Sequence, residues 1–216
     1  MNIAIPLFDG FTALDAVGPY EVLSRLPEAR VRFVAVEPAP VRTDNGMLTL
    51  LPDGSLEDLP RPEVIVVPGG VGTRKLLGDE RLVGWIRRAH GSSEWTTSVC
   101  TGSLLLGAAG VLDGLEATSH WLELETLGRF GARPVEGRVV EQGKVITAAG
   151  VSSGIDMALG LAERIAGEHA AQAIQLLLEY DPRPPFDTGS PATAPGELVA
   201  AVRSRASAAL RADAGG

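Results

Sequence analysis

The sequence predicts an α/β protein, a doubly wound and mostly parallel sheet with helices on both faces. Three observations predict it. Strand-like and helix-like segments alternate along the chain, the pattern of crossover-connected parallel strands. Val64-Ile65-Val66-Val67 is apolar without a break, as in a strand covered on both faces. With 45% hydrophobic and 21% charged residues, a chain of 216 residues can bury one large core.

The elements follow in order. Ile3–Phe8 reads as the first strand and Asp9-Gly10 as a turn. A helical stretch from Thr12 to Leu26 is interrupted at Gly18-Pro19, since proline suits only the first turn of a helix. Val31–Glu37 is the next strand. Val41-Arg42 and Met47–Leu51 form a hairpin around Asn45-Gly46, a strong turn signal. After the apolar strand comes a helix over Leu82–Ala89, then a strand over Trp95–Val99 and a helix over Ser103–Ala109. His120–Phe130 is expected to be helical, Val139–Glu141 and Val145–Ala148 a strand pair, and Ile155–Ala166 and His169–Tyr180 two helices. Asp181–Pro195 holds five prolines and no periodicity, so it reads as an extended arm. Glu197–Arg211 closes the chain as an amphipathic helix. Residues 1–180 are thus expected to form the α/β domain, with the arm and helix of 181–216 part of the same domain. No internal repeat is evident.

Charge and cysteine usage narrow the function classes. A formal charge of −8 argues against nucleic acid or an anionic membrane surface as partner, because both require a basic face. One cysteine cannot form an internal disulfide, which fits a reducing cytoplasm. Met1–Phe8 reads as a strand and not as a signal peptide. The longest apolar runs, such as Leu104–Val111, are too short to span a bilayer.

Cys100 is the most informative residue. It stands between a strand and a helix, where a sharp turn exposes the turn residue at the carboxyl edge of the sheet. The following helix aims free N–H groups and its positive dipole end there, which favours thiolate over thiol. The competing reading is a small buried apolar filler. In an open parallel sheet, ligands bind at this edge. A second strand ends there in Pro68-Gly69-Gly70, whose glycines let backbone approach a ligand and present bare N–H donors to developing negative charge. The alternative is a plain turn. Asp15 follows the first strand and lies in an otherwise apolar or small stretch, so its carboxyl needs a reason. It is either a helix cap or structural hydrogen-bond acceptor, or an acid facing Cys100. In the second case burial and a negative neighbour raise its pKa and fit it to deliver a proton.

Other signals carry less. Gly150-Val151-Ser152-Ser153-Gly154 matches the spacing of a serine elbow, but the only histidine beyond it is His169, inside a helix. A tight turn with Ser152 or Ser153 capping the next helix is the better reading. Gly70-Val71-Gly72-Thr73-Arg74-Lys75 lacks the glycine spacing of a nucleotide loop. His90, His120 and His169 show no metal-ligand spacing, so no metal is expected. His120 is open between lining the pocket and a surface or cap role.

Taken together, Pro68-Gly69-Gly70, Ser98-Val99-Cys100-Thr101-Gly102, Thr118-Ser119-His120 and Thr147-Ala148-Ala149-Gly150 resemble the PfpI-type superfamily. The resemblance covers residues 1–180 and implies a flavodoxin-like sheet shared with class I glutamine amidotransferases. Leu14-Asp15 with Gly18-Pro19-Tyr20-Glu21, the Cys100-Thr101 pair, and the tail from Glu179-Tyr180-Asp181-Pro182 to Gly189-Ser190-Pro191 resemble the isonitrile hydratase branch. PfpI-type peptidases carry His directly after the nucleophile. Thr101 stands there, leaving no adjoining base for peptide hydrolysis. Members acting on glyoxals place Glu where this chain has Asp15. Related regulators add a helix-turn-helix, for which Gly196–Gly216 is too short and the charge unsuited.

The resemblance implies a cofactor-free lyase that converts an isonitrile and water to an N-substituted formamide. Cys100 attacks the terminal carbon and Asp15 supplies the proton, giving a covalent thioimidate that water then opens. Thr101 orients Asp15 or the water. Gly69, Gly70 and Val151 line the substrate site, with the N–H groups of Gly70 and Val151 stabilising negative charge. A homodimer is implied. The alternatives are a cysteine-based small-molecule or redox sensor without turnover, and a related cysteine amidohydrolase or glyoxal-processing enzyme.

Overall fold

The structure, a computed structural model, describes residues 1–213, with side chains to residue 208. In chain order the elements are β1 (Asn2–Pro6), α1 (Ala13–Leu23), β2 (Arg30–Ala35), β3 (Val41–Arg42), β4 (Thr49–Leu50), β5 (Gly54–Ser55), β6 (Val64–Val67), α2 (Thr73–Leu76), α3 (Glu80–Ser92), β7 (Trp95–Val99), α4 (Gly102–Ala108), β8 (Glu116–Ala117), α5 (Leu124–Leu127), β9 (Arg133–Pro134), β10 (Val139–Gln142), β11 (Val145–Ala148), α6 (Ser153–Ala166), α7 (Glu168–Leu177) and α8 (Gly196–Asp213). The chain divides after Glu179 into two compact units. The second, from Tyr180, carries an irregular proline-rich segment and then α8.

The first unit is built on a seven-stranded sheet in the order β10-β11-β7-β6-β1-β2-β5. All its pairings are parallel except β10 with β11. Every residue of β6 and β11 is buried, and the continuous apolar run of β6 is thereby explained. The chain proceeds from β1 to β2 on one side and from β6 to β7 and β11 on the other. The order therefore reverses between β1 and β6, and loops leaving the carboxyl ends of β1, β6 and β7 converge there.

Two expectations differ from what forms. Helix α1 continues through Gly18-Pro19 instead of breaking. Pro19 removes one helical hydrogen bond, but packing on α6 holds the helix. A Cβ on Gly18 would lie 3.1 Å from Ile155, and one on Gly154 would lie 3.3 Å from the Pro19 ring. The helix expected over His120–Phe130 shrinks to α5 and one 3-10 turn, which ends at Gly131 in the left-handed conformation. The segment before it is held irregularly. His120 Nδ1 accepts the Leu122 N–H at 3.3 Å and Glu123 pairs with Arg74, so tertiary contacts override the local periodicity. The hairpin forms as β3 and β4, antiparallel. Helix α3 is longer than expected, starting at an Asp79 cap whose carboxylate accepts the Arg81 N–H at 2.9 Å.

The β7–α4 connection is sterically closed. A Cβ on Gly102 would stand 2.1 Å from the Val67 carbonyl oxygen and 2.9 Å from that of Pro68, both backbone atoms. Gly102→Ala is expected to lower stability by about 3 kcal/mol, because neither strand end can yield. Gly160→Ala, on an open face of α6, is expected to raise it by roughly 0.5–1 kcal/mol. Urea unfolding of both variants checks this, and an undisturbed Gly102→Ala would refute the tight elbow.

Candidate active site

The elbow positions Cys100. The residue adopts φ +58°, a left-handed conformation costly for any side chain that carries a Cβ. Its surroundings fix it. The Cys100 N–H donates to the Ala148 carbonyl at 3.0 Å, and its carbonyl accepts the hydroxyls of Ser103 and Ser119, each at 3.1 Å. The thiol is nearly enclosed, at 6% exposure. The serine-elbow alternative does not form: Ser152 has an ordinary φ of −74° at the N-cap of α6, and His169 lies on the exposed face of α7.

Asp15 reaches the same place from the third position of α1 and is fully buried. Its Oδ2 accepts the Gly69 N–H at 2.9 Å. Oδ1 has no hydrogen-bond partner of ordinary geometry, and the Cys100 thiol is close enough to interact with the carboxyl. Thr12, the N-cap residue of α1, makes no side-chain cap bond.

Gly69 and Gly70 bring β6 between the two. A Cβ on Gly69 would fall 2.5 Å from the Thr101 nitrogen and 3.0 Å from Asp15 Oδ2. Gly70 has φ +135°, and its Cβ would fall 2.2 Å from the Gly10 carbonyl oxygen. The glycines thus serve close approach of the protein to itself. Both amides are engaged internally, Gly69 with Asp15 and Gly70 with Thr101 Oγ1 at 2.9 Å. The Thr101 hydroxyl also lies 3.2 Å from the Gly70 carbonyl oxygen and accepts the Thr73 hydroxyl at 3.2 Å. It is therefore bound to the Gly70 peptide and Thr73, whereas no hydrogen bond is found between this hydroxyl and Asp15. Val151 is half-buried in the turn before α6. Sequence reasoning did not find Ser119, Thr73 or the Arg74–Glu123 ion pair, in which Glu123 is buried. Thr73 and Arg74 open the short helix α2 and the others lie in loops; Ser119 stands within the Thr118-Ser119-His120 segment, but no spacing gave any of them a role. His120 packs beside Gly150, and burial holds its pKa below the ordinary value. Among the described residues no cluster of His, Cys, Asp and Glu is placed to hold a metal ion, and no helix is long and apolar enough to cross a membrane.

Burial dominates the electrostatics. It pushes the Asp15 carboxyl up to about 7, against the opposing Gly69 hydrogen bond and thiol contact, and the negative charge of Asp44 adds to the rise. Burial also pushes the Cys100 thiol well above its usual range. The Asp15 charge adds to this, and the N–H and hydroxyl of Thr101 oppose it. The start of the following helix favours the thiolate, and burial opposes it. The two groups act as one coupled pair that is slow to lose its last proton.

The sign of the stability effect follows. A carboxyl with a higher pKa folded than unfolded contributes fully below about 3.8 and loses that contribution as pH rises to about 7. The loss is on the order of 4 kcal/mol as an upper bound. Asp15→Asn is expected to be more stable than wild type at pH 8 and to lose this advantage near pH 4. Thermal unfolding across that range checks it, and identical pH dependence of the two proteins would overturn the burial argument.

The chain is similar in sequence to an isonitrile hydratase of Pseudomonas putida, 46% identical over 98% of this chain and 92% of that protein. In structure it is similar to a THiJ/PfpI family protein from Pseudomonas syringae, with TM-score 0.92 and 37% identity over 95% of this chain and 86% of the other. Drosophila melanogaster DJ-1beta shares the fold at TM-score 0.75 and 22% identity, over 82% of this chain and 97% of the other. Residues 1–164 match the sequence pattern of the DJ-1/PfpI family, and with the elbow, the paired glycines and the mostly parallel sheet in place, the chain belongs to that family.

Proposed function

We propose that this protein hydrates isonitriles to N-substituted formamides through Cys100, with Asp15 as proton carrier. The observation that carries the reading is the buried Asp15–Cys100 pair followed by Thr101, in a chain similar along nearly its whole length to an isonitrile hydratase. The working form of the pair holds one proton, which rests on Cys100 and passes to Asp15 as the thiolate forms for attack. The thiolate bonds to the terminal carbon of R–N≡C, and that carbon takes the Asp15 proton. The product is a thioimidate, R–N=CH–S–Cys100, beside an Asp15 carboxylate. The carboxylate then draws a proton from water as the water oxygen bonds to the same carbon, and that proton passes to nitrogen. Collapse of the adduct returns the hydroxyl proton to Asp15, breaks the carbon–sulfur bond and releases R–NH–CHO with the thiolate restored.

The supporting residues act through this pair. Thr101 favours the thiolate through its N–H and hydroxyl. Gly69 holds Asp15, and Gly70 holds Thr101. Val151, at the head of α6, lines the substrate side. The fully buried carboxyl makes proton delivery efficient because water does not compete for it. Neither step requires a metal or organic cofactor. The low exposure of Cys100 weighs against a redox sensor, since oxidation by a dissolved oxidant follows access to the sulfur. A single cysteine that must stay reduced supports a cytoplasmic location.

Loss of the isonitrile infrared stretch with appearance of formamide is expected for wild type and absent for Cys100→Ala. Asp15→Asn is expected to lose roughly 10²–10⁴-fold in turnover. The doubly protonated pair lacks a thiolate, so kcat/KM should rise as pH rises through about 7. Retained turnover in Cys100→Ala, or a rate that falls across that range, would refute the mechanism.

A second copy of the chain is the proposed partner. Met47, Leu48 and Leu51 on the hairpin are exposed, Met47 at 89%, and such apolar surface favours association. Light scattering is expected to give twice the 22.5 kDa chain mass, and a monomer mass would rule the dimer out.

A further inference from the structure

Thr12-Ala13-Leu14-Asp15 has the spacing of a helix capping box, with Thr at the N-cap and an acid three residues on. In that motif the Thr hydroxyl accepts an N–H of the first turn and the acid reaches back to the N-cap N–H. Neither bond forms. The Thr12 hydroxyl instead donates to Asp44 Oδ2 at 2.7 Å. The Thr12 N–H donates to the Gly69 carbonyl at 2.8 Å, and the Asp15 carboxyl takes the Gly69 N–H. A cap of this kind contributes about 1 kcal/mol, and the helix forgoes it.

Asp44 is fixed to make this exchange. It belongs to the β3–β4 hairpin, which docks on the loop before α1. The Asp44 N–H donates to the Phe11 carbonyl at 2.9 Å, Gly10 N–H donates to the Arg42 carbonyl at 2.8 Å, and Arg42 N–H donates to Asp9 Oδ1 at 2.9 Å. The Arg42 guanidinium is engaged with the Gly46 carbonyl, at 3.0 Å. Asp15 feels the Cys100 thiol on the elbow as a hydrogen bond that favours its charged form, and the charge of Asp44 on the hairpin, which opposes it. Helix α6, packed on α1, brings Asp156, which is paired with Arg138.

We propose that Asp44 is a positioning residue for Asp15: by holding the Thr12 hydroxyl it fixes the start of α1, whose Thr12 N–H is given to the Gly69 carbonyl, so that the Asp15 carboxyl takes the Gly69 N–H and keeps its other oxygen beside Cys100. The charge of Asp44 helps Asp15 keep its proton, and the Thr12 bond keeps that charge in place. The inference rests on Asp15 and Cys100 being a working pair. Asp44 itself is exposed, so its influence on Asp15 is screened by salt.

The test needs no isonitrile. Cys100 is the only cysteine, so its alkylation rate by iodoacetamide against pH reports the titration of the pair. Asp44→Asn keeps an acceptor for Thr12 and removes the charge. Its midpoint is expected to fall by roughly 0.3–1 pH unit. Raising salt from 0.05 to about 0.5 M should lower the wild-type midpoint and leave that of Asp44→Asn unmoved. Thr12→Val should lower the midpoint and reduce isonitrile turnover about five-fold or more, and Thr12→Ser should restore both. A midpoint in Asp44→Asn equal to wild type, with the same salt dependence, would overturn the proposal. If the shifts appear but no isonitrile is consumed, the positioning role stands and the hydratase reading falls. If turnover is present without the shifts, the hydratase stands and the role of Asp44 falls.

Discussion

The Gly69 backbone is the joint on which the site depends. Its N–H holds the Asp15 carboxyl and its carbonyl receives the Thr12 N–H, so the backbone of one residue ties the start of α1 to the end of β6. No side chain fits there, because a Cβ would collide with the Thr101 backbone. The same closeness brings Thr101 within reach of Gly70 and sets the elbow beside the carboxyl. Three chain segments meet at one point because sheet order reverses between β1 and β6.

This arrangement stores unfavourable terms. Cys100 sits at positive φ, Asp15 is a carboxyl in a dry site, and α1 goes without its cap. Each lowers stability by on the order of 1 kcal/mol or more. They persist because the surrounding sheet is buried and continuous, with β6 and β11 wholly enclosed. The same burial that makes the carboxyl costly raises its pKa to about 7 and turns it into a usable proton carrier at neutral pH. Stability and reactivity are coupled through desolvation.

Much of the fold was legible because strong local signals agree with the tertiary answer. The apolar run of β6, the Asn45-Gly46 turn and the alternating elements all appear where the pattern put them. The failures occur where packing decides. Pro19 lies inside a continuous helix because α6 supports it, and His120–Glu123 is pulled from helix by Arg74, and by Ser119 bonding the Cys100 carbonyl. The burial that opposes ionisation of Cys100 was not legible from sequence. A strand-to-helix turn reveals a dipole, but only the packed structure reveals how little water reaches the sulfur.

By itself the sequence determined the order of strands and helices, the lone thiol at an elbow and the carboxyl in apolar company. These are properties of periodicity, residue type and neighbours along the chain. Only the tertiary structure decided that Asp15 binds Gly69 instead of capping its helix, that both glycine amides are engaged within the protein, and that Asp44 from a distant hairpin takes the Thr12 hydroxyl. The reason is physical. Hydrogen-bond partners 31 to 54 residues apart compete with local ones, and the outcome depends on which groups the sheet brings within about 3 Å of each other.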